Sequence, residues 1–266
     1  MKKLLPSVFL LLMVLASVLA LCLTHWSYSA QDREAILAPA SAAHPAGTDA
    51  LGRDRLVRTA AALLIGLSGA TAAATISIFF AAGFGLLAGF SPHWVAAVLM
   101  FVSDGFLSLP WLFLLMTVRS LLPLTASPLV TAVITFAVLA VLGWPAFARV
   151  IYRGAQGMRS SEWMLQGRAC GLTTGQLMRV HVVPQLRPLM MPQFLVCVPA
   201  FVMAEANLGA LGLGVGEPIP SWGAMLQELD NSALLVSSHW VYLPIALLVI
   251  VLLLLECFAS EEKAYA

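Results

Sequence analysis

Asp104 and Glu205 are the acidic side chains closest to long apolar runs. A carboxylate in that setting relays a proton or contacts a ligand by default. Both lie near the ends of their runs, where water reaches, and neither has an evident His or Arg partner in a neighbouring run. That argues against direct contact with a solute. Asp49 and Arg53 stand four residues apart, as do Asp54 and Arg58, so on a short helix each pair would bridge for roughly a few tenths of a kcal/mol. Their segment reads either as a solvated cap or as a contact surface for another protein. His181 is of the type that ligates metals or switches with pH, but alone in a basic segment it reads as a hydrogen-bonding structural residue. Lysines occur only at Lys2, Lys3 and Lys263, and there is no GxxxxGK[ST], so no phosphate-cradling lysine is available. The GLGVG of Gly212 to Gly216 has no strand before it and reads as a glycine-rich turn. Cys22, Cys170, Cys197 and Cys257 show no metal-ligand spacing and are expected to be small packing residues. No nucleophile and base pair stands out, which argues against an enzyme.

These residues sit in a chain of 266 that is 61% hydrophobic and 10% charged, with net charge +1 and mean hydropathy +0.93. A soluble domain is about 45–50% apolar and 25% charged, so this is an integral membrane protein. Hydropathy places six spans near residues 4–24, 60–88, 95–118, 129–147, 189–204 and 241–257. The first is too long for the roughly 7–15-residue core of a signal peptide and is expected to remain as an anchor. With the N-terminus inside, nine Lys and Arg face the cytoplasm and five face out, so both termini are expected to be cytoplasmic. The segment from 205 to 240 carries acids and no Lys or Arg, as suits an outer loop. Pro110, Pro145, Pro192 and Pro199 are expected to kink or break spans, and Gly85 with Gly89 to allow close packing.

Arg149, Arg153, Arg159, Arg168, Arg179 and Arg187 are concentrated between the fourth and fifth spans. An arginine at mid-bilayer costs roughly 2.5–3.5 kcal/mol, so this segment is expected to form a cytoplasmic loop of about 40 residues. Within it Ser160 or Ser161 caps a helix start, Glu162 suits the positive end, and Gly171 ends the helix. Trp163, Met164 and Cys170 give that helix a partly exposed apolar face that needs somewhere to dock.

In this loop Gly171 is followed by nine residues, then His181, Val182 and Val183-Pro184, a spacing that resembles the EAA loop of ABC importer permeases. The triplet position reads Leu165-Gln166-Gly167. HPAGTDALGRD (His44 to Asp54) resembles the HPxGTDxxGRD stretch of the C-type permeases of dipeptide, oligopeptide and nickel importers. EANLGALGLGVGEPIPSWGAML (Glu205 to Leu226) is similar to their ExxLSFLGLGxxPPxPSWGxML loop, with Gly209-Ala210 for Ser-Phe and Glu217 for a proline. SDGFLSLPWLFL and GWPAFARVIYRGAQGMRSSEW resemble the family's third span and the segment leading into the loop.

The resemblance implies an all-α, polytopic transmembrane helix bundle of about six spans with the type I ABC importer permease fold, in the inner membrane. It divides the chain into an anchor (residues 1–24), an extracytoplasmic loop (25–58), a permease domain (59–257, with a coupling loop near 148–188 and an outer loop near 205–240) and a short cytoplasmic tail (258–266). The implied function is import of peptides, nickel chelates or similar small solutes. The implied partners are a second permease subunit, two ATP-binding subunits that hold ATP and Mg, an extracytoplasmic substrate-binding protein and the lipid bilayer, with no nucleic acid and no cofactor or metal on this chain. Glu162, Trp163, Leu165, Gln166, Gly167, Arg168, Ala169, Gly171, His181 and Pro184 become ATPase-coupling positions. Gly47, Thr48, Asp49, Gly52, Arg53 and Asp54 form the extracytoplasmic motif. Asp104, Glu205, Gly212, Gly214, Pro220, Trp222 and Gly223 become outer gate or packing positions. The competing reading is a secondary carrier or channel without ATPases, which would place paired charges or an inverted repeat at mid-membrane; neither is found.

Overall fold

The computed structural model describes residues 4–121, 127–230 and 239–263. Lys2, Lys3 and part of the expected outer loop (231–238) lie outside them. Among the described residues the chain is helical, with one isolated bridge between Thr48 and Asp54. Helix α1 spans Leu4–Leu23, α2 Arg55–Phe90, α3 His93–Ser108, α4 Trp111–Ser120 and α5 Pro128–Arg159. The short α6 (Glu162–Ala169) and α7 (Thr174–Leu177) follow, and a π turn (Met178–Val182) joins α7 to α8 (Val183–Ala210). Helix α9 spans Trp222–Leu226 and α10 spans Leu243–Lys263. Five helical stretches are long and apolar enough to cross a membrane, and α3 is a shorter apolar helix.

Local chemistry sets the boundaries. The Asp54 carboxylate accepts the Val57 amide at 2.9 Å and caps α2; Ser127 caps α5 ahead of Pro128. The expected single span over 95–118 is two helices, because Leu109 is extended ahead of Pro110, the conformation that a following proline imposes. Pro145, Pro192 and Pro199 do not break their helices. The expected loop of about 40 residues is also mostly helix: α5 runs on to Arg159 and α7 leads through the π turn into α8, leaving only 160–161 and 170–173 as connections. Helix α2, with 36 residues, is about 54 Å long at 1.5 Å per residue, well beyond the roughly 30 Å hydrocarbon layer.

Small residues set the helix order. A Cβ on Gly69 would meet Phe136, one on Gly85 would lie 2.8 Å from the Ile151 Cβ, and one on Gly89 would meet Ala155. Helices α2 and α5 therefore run parallel in close contact, as expected for Gly85 and Gly89, and α3 with α4 returns between them. Leu63, Ala70, Leu139, Phe201, Trp222 and Leu248 share the main core. The bundle has two ends: a head, where residues 24–54 meet 211–230, and a foot, where α6 and α7 lie. Cys197 is buried, whereas Cys22, Cys170 and Cys257 are exposed and do not pack as expected.

Candidate functional site

At the head, the motif from His44 to Asp54 folds as turns rather than a helix. Gly47 and Gly52 take φ of +70° and +74°, and a Cβ on Gly47 would sit 2.5 Å from the Ala38 carbonyl oxygen. Glycine has no Cβ to clash there. The Thr48 hydroxyl accepts from the Ala38 amide at 2.9 Å and donates to the Ala35 carbonyl. The Asp49 carboxylate accepts the amides of Leu51 and Arg53, each at 2.9 Å, and pairs with Arg53 Nε at 2.6 Å.

The expected pair of Asp54 with Arg58 does not form. The Asp54 carboxylate is taken by the Val57 amide and by His44 Nδ1 at 2.9 Å. Arg58 reaches Glu217 at 2.9 Å, and Arg53 Nη1 reaches the same carboxylate at 2.6 Å. Arg55 pairs with Glu228 at 2.8 Å. Three arginines thus tie the first loop to the second across more than 150 positions of sequence. Burial alone would weaken the charge on Arg53, but hydrogen bonds and charges of Asp49 and Glu217 outweigh it and raise its pKa. Spacing rules give no sign of Glu217 and Glu228 as partners; the signal was an acid-only loop facing an arginine-rich one.

Beneath this cluster α8 ends in a Schellman turn: Gly212 takes φ +76°, with Leu213 N donating to the Leu208 carbonyl and Gly212 N to that of Gly209. Three glycines meet there, since a Cβ on Gly209 would be 2.5 Å from the Gly223 Cα and one on Gly214 2.5 Å from the Gly209 Cα. Trp222 is buried with its ring over Gly66, and Pro220 is buried beside Ser221, which caps α9. Glu205 is buried in the last turns of α8 near Ser221 and the Trp222 backbone, yet neither carboxylate oxygen has a hydrogen-bond partner among the described residues. Asp104 lies elsewhere and does have a partner: it pairs with Arg149 across α3 and α5.

At the foot, Ser161 occupies the N-cap position of α6, but its hydroxyl donates to the Met158 carbonyl instead of capping. Gly171, with φ +82°, closes α6 by a second Schellman turn, as expected. Met164 is buried with Leu177 and Val182 against Leu86, Phe90 and Met158. Gly167 is the contact point, because a Cβ there would run into the Leu177 side chain. Trp163 is half-buried and its ring lies 5.6 Å from that of His181; among the described residues the His181 ring makes this contact and not the expected hydrogen bond. Glu162, Leu165, Gln166, Arg168, Ala169 and Pro184 are exposed. The foot therefore presents a short helix anchored on one side and open on the other.

Residues 81–256 match the family described as the binding-protein-dependent transport system inner membrane component. The chain belongs to that family. It is 28% identical over 221 residues to the oligopeptide transport system permease protein OppC of Bacillus subtilis, covering 83% of this chain and 70% of the relative. It is 29% identical over 202 residues to the dipeptide transport system permease protein DppC of the same species, covering 76% and 61%. It is 33% identical over 228 residues to the di/tripeptide transport system permease protein DppC of Pseudomonas aeruginosa, covering 82% and 72%. The protein is a multi-pass membrane permease subunit, and all of α6 to α10 except the last turns of α10 falls within the family match.

Proposed function

We propose that this permease subunit imports peptides, forming a path with a second permease subunit, taking ATP-driven motion from two ATP-binding subunits at the foot and receiving solute from a binding protein at the head. The foot is then the cytoplasmic end, and both termini are cytoplasmic. ATP and Mg are held by the partner subunits. Peptide as the solute rests on the relatives, which are permeases of oligopeptide, dipeptide and di/tripeptide transport systems.

The observation that carries the reading is α6. Its inner side is fixed by Met164 and Gly167 against Leu177, while Leu165, 57% exposed, faces outward with Gln166. A short helix held on one side by Met164 and Gly167 and open on the other offers a rigid surface for another protein to grip. Force on it passes by contact to α7 and to the end of α2 at Leu86 and Phe90. At the head, Glu205, the Gly209–Gly214–Gly223 contact and Trp222 form the packing that such motion would open.

The test is co-purification. Tagged protein from solubilised membranes is expected to bring down an ATP-binding subunit, and deletion of residues 160–171 to abolish both that association and ATP-dependent uptake of a labelled dipeptide. Uptake that survives the deletion refutes the role of α6; ATP-dependent transport without any peptide uptake refutes only the solute.

A further inference from the structure

A polar cavity of about 480 Å³ opens at the foot where three elements meet: the α2 to α3 turn with Ser91 and His93, the end of α5 with Tyr152, Gln156, Arg159 and Ser160, and Arg168 of α6. No acidic residue lines it. Arg159 Nη1 is fixed by the Ser91 carbonyl at 2.8 Å, and the Gln156 amide donates to the Tyr152 hydroxyl at 2.7 Å. The side chains of Arg168 and His93 make no hydrogen bond or ion pair among the described residues. Two arginines, a histidine and the polar side chains of Tyr152 and Gln156 lining one space suit an anion, and guanidinium groups suit phosphate oxygens in particular.

The cavity borders a lipid-facing surface. Next to His93, Trp94 is 71% exposed, and further along α3 Val98 and Phe101 are also exposed. Tryptophan and tyrosine mark the boundary between headgroups and acyl chains, so Trp94 and Tyr152 put the cavity at headgroup depth. Basic pockets between transmembrane helices at this level hold acidic headgroups. We propose that the cavity binds the phosphate of an anionic phospholipid whose chains lie along α3. Such a lipid ties Arg168 on α6 to the α2–α3 turn and braces the coupling helix from the membrane side. The site does not depend on which solute is carried.

The test uses the full chain, delipidated in detergent, with lipid adducts counted by native mass spectrometry. Dioleoyl phosphatidylglycerol is expected to bind at least about tenfold tighter than dioleoyl phosphatidylcholine, with about a fivefold loss of that preference for the charge removed in Arg168→Gln and a smaller loss for the imidazole removed in His93→Gln. Gln156→Lys is expected to increase the preference, which gives a gain that misfolding cannot mimic. Phosphatidylcholine binding unchanged from wild type supports the loss as specific. Equal binding of the two lipids, or a preference that survives both removals, overturns the proposal. Inorganic phosphate displacing phosphatidylglycerol at equal concentration assigns the cavity to a free anion and overturns the lipid.

Discussion

Replacing Glu217 with Gln removes one negative charge shared by two arginines at the head. Arg58 is 2% exposed and reaches that carboxylate at 2.9 Å; Arg53 reaches it at 2.6 Å. Breaking a fully buried pair costs roughly 3–5 kcal/mol, and an exposed pair roughly 0–1. The Glu217 side chain is 49% exposed, Asp49 still lies 3.7 Å from Arg58 Nε, and Gln keeps one acceptor, so about 1–2 kcal/mol is expected. That corresponds to an opening equilibrium roughly 5–30-fold more favourable. Hydrogen exchange followed by mass spectrometry is expected to show faster exchange by that factor in both 44–58 and 211–230, with α6 unchanged. Wild-type exchange should approach the variant's in 1 M salt, where the screening length is about 3 Å. Because folding raises the Arg53 pKa, its stabilisation is fully present below the ordinary arginine value and is lost only at more alkaline pH than the assay reaches, so it contributes no pH dependence there. Unchanged exchange, or a change confined to one of the two segments, refutes the idea that Glu217 joins them.

Two glycine substitutions separate packing from backbone strain at the foot. Gly167→Val drives a branched side chain into fully buried Leu177 and is expected to cut ATP-dependent uptake at least about tenfold with normal membrane insertion, whereas Gly171→Ala meets open space, costs about 1–2 kcal/mol of left-handed strain and should keep uptake within a few-fold. Equal losses in uptake assays would refute the distinction. Gly209→Ser puts a Cβ 2.5 Å from the Gly223 backbone and is expected to cost about 1–3 kcal/mol, read as a fall of several degrees in the apparent melting temperature in detergent. With Cys170 kept as the sole cysteine, an impermeant maleimide should label inverted vesicles and not intact cells; labelling of intact cells would reverse the assigned orientation.

Apolar runs gave the spans because lipid imposes them, but hydropathy reports the lipid-facing length and not the helix. The arginines from Arg149 to Arg187 rule out a bilayer centre and say nothing against a helix that continues into water, so α5 and α8 extended into what read as a loop. The four-residue spacing rule failed at Asp54 for a related reason: it holds inside a helix, and Asp54 is the cap, with its carboxylate committed to Val57 and His44. It succeeded for Asp49 and Arg53 although their segment is a turn. A glycine inside a helix costs about 1 kcal/mol relative to alanine, and at Gly167 the Leu177 side chain fills the space a Cβ would take. That contact depends on how α7 folds back over α6, which no local pattern encodes.

The two candidate sites lie at opposite ends of one continuous element. From Thr173, whose side chain and Gln176 form a capping box, the helix runs through the π turn and α8 to Gly209, 37 residues from Thr174 to Ala210. Its foot holds Leu177 and Val182 against α6, and its head holds Glu205 and the Gly209 contact with Gly223. Pro188, Pro192 and Pro199 each lack the amide that would close an intrahelical bond, so bending is concentrated at fixed places rather than spread along the rod. A shift of α6 therefore has a mechanical route to the head that crosses no flexible loop. The buried Gly209–Gly223 contact, with backbone nearly touching backbone, leaves that end little room to absorb a displacement without opening.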